Sequence, residues 1–164
     1  MATDMERQFV EKVGRYFEQL GFPRMGGRIF GWLLISEAPQ ASMAELTEAL
    51  QASKSSISAI TRLLIQVDMI EEVSVPGVRH DYFRIRSDVW TNALRGRLTQ
   101  AMTFRELAEE GLALLQNTPR ERQTRLQEMR LMYAFLEREM PLLMQRWEKE
   151  RQAYYEGMKT PSVI

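Results

Sequence analysis

Apolar residues recur along this chain at two periods, and the switches between them divide it into elements. Between residues 5 and 20, Phe9, Val10, Val13, Tyr16, Phe17 and Leu20 keep helical spacing, and Gly21 with Pro23 ends the run. A second helix is predicted from Arg24 to Glu37. Ile29, Phe30, Trp32, Leu33, Leu34 and Ile35 make it apolar nearly all round, which predicts burial. Gly26, Gly27 and Gly31 match neither a dinucleotide fingerprint nor a P-loop and read as sites of close helix packing. After Pro39, Ser42 and Glu45 form a capping box that opens a short helix through Leu50, with Met43, Leu46, Ala49 and Leu50 inward. Gln51-Ala52 is a turn. Ser53 then caps a helix running to about Val67, whose inward stripe is Ile57, Ile60, Leu64 and Val67. Lys54, Ser55, Ser58, Thr61 and Arg62 are left on the other faces, with Ser56 at the margin. The period then falls toward two: Met69–Val75 and Arg79–Arg86 read as strands around a Pro76-Gly77 turn.

Helix, turn, helix and a two-stranded loop is the layout of a winged helix-turn-helix, which lays its second helix in the DNA major groove. Serine and threonine are poor helix formers, so a helix face carrying several of them sacrifices stability. Short side chains there would let the helix approach base edges and phosphates closely. A solvated capping turn is the competing account of the same serines. Arg79, two residues past the turn, suits a narrow minor groove. Ser42, at a helix N-terminus, suits a phosphate.

The remainder is helical. Ser87-Asp88 opens a helix reaching about Gln116, with a stripe of Leu94, Leu98, Ala101, Ala108, Leu112 and Leu115. Thr118 and Pro119 occupy cap and first-turn positions of another helix. In that helix Leu126, Met129, Tyr133, Leu136, Met140, Leu143 and Trp147 alternate spacings of three and four, a heptad seam that Tyr154 extends. Pro141 is expected to kink or break it near Arg138–Met140. A seam this long predicts packing against a second subunit, with a self-packed helical hairpin as the alternative. The expected fold class is mainly α with a small β-wing: a winged helix-turn-helix with long C-terminal dimerisation helices. Residues 1–88 would form the DNA-binding domain, 89–156 the dimerisation region and 157–164 a disordered tail.

Composition narrows the chemistry. The chain has no cysteine and a single histidine, which excludes disulfides, thiolate catalysis and the common zinc sites. No catalytic residues, cofactor or metal are expected: the carboxylate pairs Glu71-Glu72 and Glu109-Glu110 are sequence neighbours and diverge, and His80 falls on an exposed wing. Apolar runs are too short to span a membrane, and Asp4, Glu6, Glu11 and Glu18 do not suit a secretory signal, so a cytoplasmic location is expected. Formal net charge is zero, but a local basic face is what binds DNA. Lys54, Arg62, Arg79, His80, Arg84 and Arg86 supply one.

The stretches Gly26-Gly27-Arg28-Ile29-Phe30-Gly31-Trp32-Leu33-Leu34, Ala44-Glu45-Leu46, Ala49-Leu50, Ser53-Lys54-Ser55-Ser56-Ile57-Ser58 and Pro76-Gly77-Val78-Arg79-His80-Asp81-Tyr82-Phe83 resemble the MarR-type winged-helix regulators, specifically their GbsR-like branch. Asp68 and Gln51 stand where that family usually has glycine. The resemblance covers roughly residues 5–90. It implies a homodimeric, sequence-specific transcriptional regulator of double-stranded DNA, often a repressor. Ser42, Ser53, Lys54, Ser55, Ser56, Ser58, Thr61 and Arg62 would meet the major groove and its phosphates, with Arg79 at the wing tip. It also implies a small-molecule effector, to which some members of the family respond. Trp32 and Trp90, with Phe17, Phe22 and Phe30, are candidates to box a quaternary ammonium through cation–π attraction, with aromatic core filling as the commoner account of such a stripe. A winged helix used only for protein contact is the rival reading.

Overall fold

The computed structural model describes residues 3–74 and 81–159. In chain order it contains α1 (Asp4–Gln19), α2 (Arg24–Ile35), β1 (Ala41–Ser42), α3 (Met43–Leu50), α4 (Lys54–Gln66), β2 (Ile70–Ser74), β3 (Asp81–Ile85), α5 (Val89–Leu114) and α6 (Arg120–Lys159). The chain divides into two compact units, Met1–Val89 and Trp90–Ile164. The architecture is the mostly helical winged helix that the hydrophobic pattern predicts.

In the first unit, α1 starts in a capping box: the Thr3 hydroxyl accepts from the Glu6 N–H while the Glu6 carboxylate accepts from the Thr3 N–H. Its buried line is Val10, Gly14 and Phe17. α2 crosses it at glycines. A Cβ on Gly27 would lie 2.6 Å from the Val13 carbonyl oxygen and 2.7 Å from the Gly14 Cα, so the two backbones nearly touch there. α2 ends at Ile35 rather than Glu37, with Ser36 already extended. The core joins Ile29, Phe30 and Leu33 of α2 to Leu46 and Leu50 of α3, Ile57 and Leu64 of α4, and Ile70 and Phe83 of the sheet.

The sheet has three antiparallel strands in the order β1-β3-β2. β3 is central, pairing Ala41 with Phe83 on one side and Glu72 with Phe83 on the other. β1 is two residues long, too short for alternation to announce it. The Pro76-Gly77 turn, Arg79 and His80 lie outside the described residues.

In the second unit α5 and α6 run antiparallel. Phe104 stacks on Tyr133 with centroids 4.8 Å apart, Arg105 pairs with Glu137, and the Trp147 indole N–H donates to the Thr91 hydroxyl at 3.1 Å. Leu126 fills the gap above Gly111. Leu126, Tyr133 and Trp147 of the seam therefore meet the chain's own α5 and stay half-buried. Within that seam Leu143 is exposed and Met144 is the half-buried residue. Pro141 does not break α6, which runs 40 residues without interruption. Thr118 does not cap it: its hydroxyl donates to the Leu115 carbonyl at 2.8 Å. The helix continues through Gly157 to Lys159, into the stretch expected to be a disordered tail; residues 160–164 lie outside the described residues. Among the described residues no helix is long and apolar enough to cross a membrane.

Candidate nucleic-acid interface

The interface is built on two consecutive caps. The Ser42 hydroxyl accepts from the Glu45 N–H at 3.2 Å, and Glu45 returns the bond to the Ser42 N–H at 2.6 Å. The Ser42 side chain is thus committed to starting α3 and is half-buried. Ser53 caps α4 by accepting from the Ser56 N–H at 3.2 Å, and its hydroxyl also bonds that of Ser55 at 3.0 Å. Between the caps the chain turns through Gln51 in the left-handed region, φ 49° and ψ 47°.

α4 divides as the helical period requires. Ile57 and Leu64 are fully buried; Ser53, Lys54, Ser55 and Arg62 are exposed, with Ser56 and Ser58 half-buried at the flank. Thr61 does not belong to the outer face. It is 2% exposed, and its hydroxyl donates to the Ser58 carbonyl at 3.2 Å. Four residues of helix carry Thr61 only about 40° from Ile57, so geometry places it in the core stripe despite its polarity. Val67, assigned to that stripe, is 39% exposed at the helix end. Asp68 takes the left-handed conformation at φ 58°, as its resemblance to a glycine position implies.

The positive charge is less general than the sequence suggests. Arg84 pairs with Glu71 at 2.6 Å across the sheet. Arg86 makes a two-pronged contact to Asp88 at 2.9 and 3.0 Å and reaches Asp68 at 3.3 Å, so it clamps the turn after α4 to the entry of α5. Of the described cations assigned to the basic face, Lys54 and Arg62 have no ion pair, so the charge left over on that face lies on α4. Glu72, exposed on β2, has its pKa raised from the ordinary value, through partial desolvation first, then repulsion from and hydrogen bonding with Asp81.

The aromatic candidates are not brought together as a box. Phe17 lies 5.4 Å from Phe30 and 5.8 Å from Phe22, centroid to centroid, so these rings fill the core with one another. Trp32 lines a cavity of about 220 Å³ in the first unit with Arg7, Glu11 and Arg28. Trp90 lies in the second unit, beside Leu94, Arg97 and Trp147. The sequence analysis named Arg28 only as part of a motif and counted Arg86 in the basic face, and it found neither residue's ion-pair role. Arg28 acts on a backbone carbonyl 22 residues away, which no motif announces.

Residues 88–150 match the family model of MmpR5-like MarR family transcriptional regulators. The chain is 40% identical to the HTH-type transcriptional regulator MmpR5 of Mycobacterium tuberculosis over 130 residues, 79% of each chain. It is 29% identical to the HTH-type transcriptional repressor OpcR of Bacillus subtilis over 85 residues, 52% of this chain and 45% of that one. A crystal structure described as a transcriptional regulator superposes with a TM-score of 0.71 at 37% identity, covering 88% of this chain and 98% of the other.

Proposed function

Since the chain belongs to the MarR family of winged-helix transcriptional regulators, in its MmpR5-like group, we propose that it is a homodimeric, sequence-specific repressor that inserts α4 into the major groove. One observation carries this: α4 presents Ser55, Ser58 and Arg62 outward, with Lys54 at its start, while its opposite face is locked into the core. Short hydroxyls let the helix lie deep and the two cations meet phosphates. Ser42 and Ser53 contribute through their caps, by holding the N-termini of α3 and α4 toward the backbone, and Ser56 and Arg79 complete the assigned contact set. Thr61 is withdrawn from it.

Residues 1–88 take the DNA-binding role and 89–156 the dimerising one. The homodimer is supported by a second apolar line on α6, away from α5, in which Leu131 is 72% exposed and Phe135 and Leu142 are also exposed. Two recognition helices would then read half-sites about 10 bp apart. Within the family, the chain's proposed place is the GbsR-like branch. Effector response is assigned to the Trp32 cavity instead of an aromatic box, and Trp90 is left to the second unit. A thermal-shift screen with trimethylammonium compounds tests it, and no shift at millimolar concentration rejects a quaternary ammonium.

The deciding experiment is selection of genomic fragments by the full chain, followed by sequencing. An enriched pseudo-palindrome, bound with an affinity that falls as salt rises, is the expected result. Lys54→Ala with Arg62→Ala should weaken that complex about tenfold or more. No enrichment, or a complex insensitive to both substitutions, favours the rival reading of a protein-contact winged helix.

A further inference from the structure

The Gly26-Gly27-Arg28 run is the most distinctive motif of the first unit, and DNA contact does not account for its arginine. The Arg28 side chain is 23% exposed, on α2. Its Nη2 donates to the carbonyl oxygen of Leu50, the last residue of α3, at 2.8 Å. Its Nε lies 2.7 Å from Oε1 of Glu11 on α1, a charge contact in which the N–H is not aligned on the oxygen. The other Glu11 oxygen accepts from Arg24 at 2.6 Å. One guanidinium therefore ties α1, α2 and the end of α3 together at the bend of the helix-turn-helix.

That bend needs a tie. Gln51 holds a left-handed conformation that a non-glycine residue adopts at a cost. The turn's own N–H groups satisfy other carbonyls: Gln51 donates to Glu48 and Ala52 to Thr47. The Leu50 carbonyl takes Arg28, and a cation at a helix C-terminus is also favoured by the helix dipole. Two residues after Gln51, Ser53 caps α4. The space for the arginine is built in as well, since a Cβ on Gly14 would lie 2.9 Å from the Arg28 Cγ.

We propose that Arg28, held by Glu11, is a positioning residue for DNA recognition: it fixes the bend between α3 and α4, and so the presentation of Ser55, Ser58 and Arg62, without touching the duplex. This rests on the reading of α4 as the recognition helix. Phosphate contacts tolerate a small angular error, whereas hydrogen bonds to base edges do not. Losing the tie should therefore erode discrimination more than general affinity.

The test uses the full chain as wild type, Arg28→Met and Arg28→Lys. Methionine keeps an aliphatic stem over Gly14 and removes the guanidinium. Lysine can reach the carbonyl or the carboxylate, not both. Each is titrated across a salt series against a genomic duplex selected by the wild type and a scrambled duplex of equal length, with amide hydrogen exchange read at residues 51–53. For Arg28→Met, affinity for the selected duplex should fall about tenfold and for the scrambled one less than about twofold. The salt slope should be unchanged, because the phosphate contacts are retained. Exchange at 51–53 should accelerate while α6 stays as protected as in wild type, and Arg28→Lys should lie between. Retained discrimination in Arg28→Met, an equal fall for both duplexes, or unchanged exchange at 51–53 would each overturn the proposal. A wild-type chain that prefers no duplex refutes the recognition-helix reading itself, and is distinguished by needing no variant to reveal it.

Discussion

The unit ending at Val89 closes over its own core, whereas the unit from Trp90 onward leaves its large apolar side chains half-covered or bare. In the first, Ile29, Leu46, Ile57 and Leu64 are wholly buried, each contributing about 1.5–3 kcal/mol by leaving water. In the second, the buried apolar residues among those described are Ala101 and Ala108, while Leu114 is 84% exposed and Met132, Phe135, Leu142, Tyr154 and Met158 are also exposed. A two-helix layer has one inner face and cannot bury two stripes. The difference teaches where burial is complete: the first unit fills one core even though Met5, Tyr16 and Leu20 of its N-terminal segment stay exposed, and the second leaves apolar surface that the proposed dimer would cover.

Glycine substitutions should split along this line. Gly27→Ala forces a methyl group against backbone atoms of α1, which cannot yield like a flexible side chain. A loss of about 3 kcal/mol in urea denaturation is expected. Gly96→Ala in α5 meets nothing within 4 Å, and should stabilise by about 0.5–1 kcal/mol through the better helix former. Two changes of equal sign and size would break the contrast.

Next in size is association. Leu131→Asp combined with Phe135→Asp places two charges on the exposed line of α6 and should raise the dimer dissociation constant about a hundredfold by sedimentation equilibrium. The circular dichroism of the first unit's helices should persist. A monomeric wild type, or a dimer indifferent to the pair, would leave that surface without the role given to it.

The contrast also sharpens the contact assignment within α4. Thr61→Val removes a hydroxyl bonded to its own helix and keeps the buried shape. DNA affinity should stay within about twofold. Arg62→Ala should lower affinity several-fold and reduce the salt slope by about one. If the two variants behave alike, the division of α4 into inner and outer faces is misplaced.

The fold was legible wherever one pattern has one solution. Ser42 with Glu45 marked the start of α3, Ser53 the start of α4, and the period change at Met69 the wing. Elsewhere one pattern had two solutions. The heptad spacing from Leu126 to Trp147 is the same for a second copy and for the chain's own α5, so it does not announce that Tyr133 and Trp147 meet Phe104 and Thr91 of α5. Thr61 was misplaced because polarity was weighed above angle: about 40° from Ile57, a threonine can be buried if its hydroxyl bonds back to its helix. Arg28 was illegible as a functional residue because its partners are a backbone oxygen and a glutamate on another helix. Pairing at that range is a product of folding, and nothing local in the sequence encodes it.

The smallest expected effect lies in the wing, on an edge strand of the first unit's sheet. Partial desolvation first, and then the neighbouring Asp81 carboxylate, raise the pKa of the exposed Glu72 in the folded chain. The unfolded chain has the ordinary value, so between the two the folded state binds more protons. Stability is therefore unpenalised below the ordinary carboxylate range, and is lost as pH rises through the folded value, with the penalty complete at neutral pH. Glu72→Gln should leave the urea midpoint unchanged near pH 4 and raise it slightly at pH 7, and high salt should shrink that gain because the pair is exposed to solvent. A Glu72→Gln midpoint lower at pH 7 than that of wild type would mean that the carboxylate is used by a cation and that the strand pair is better satisfied than its geometry implies.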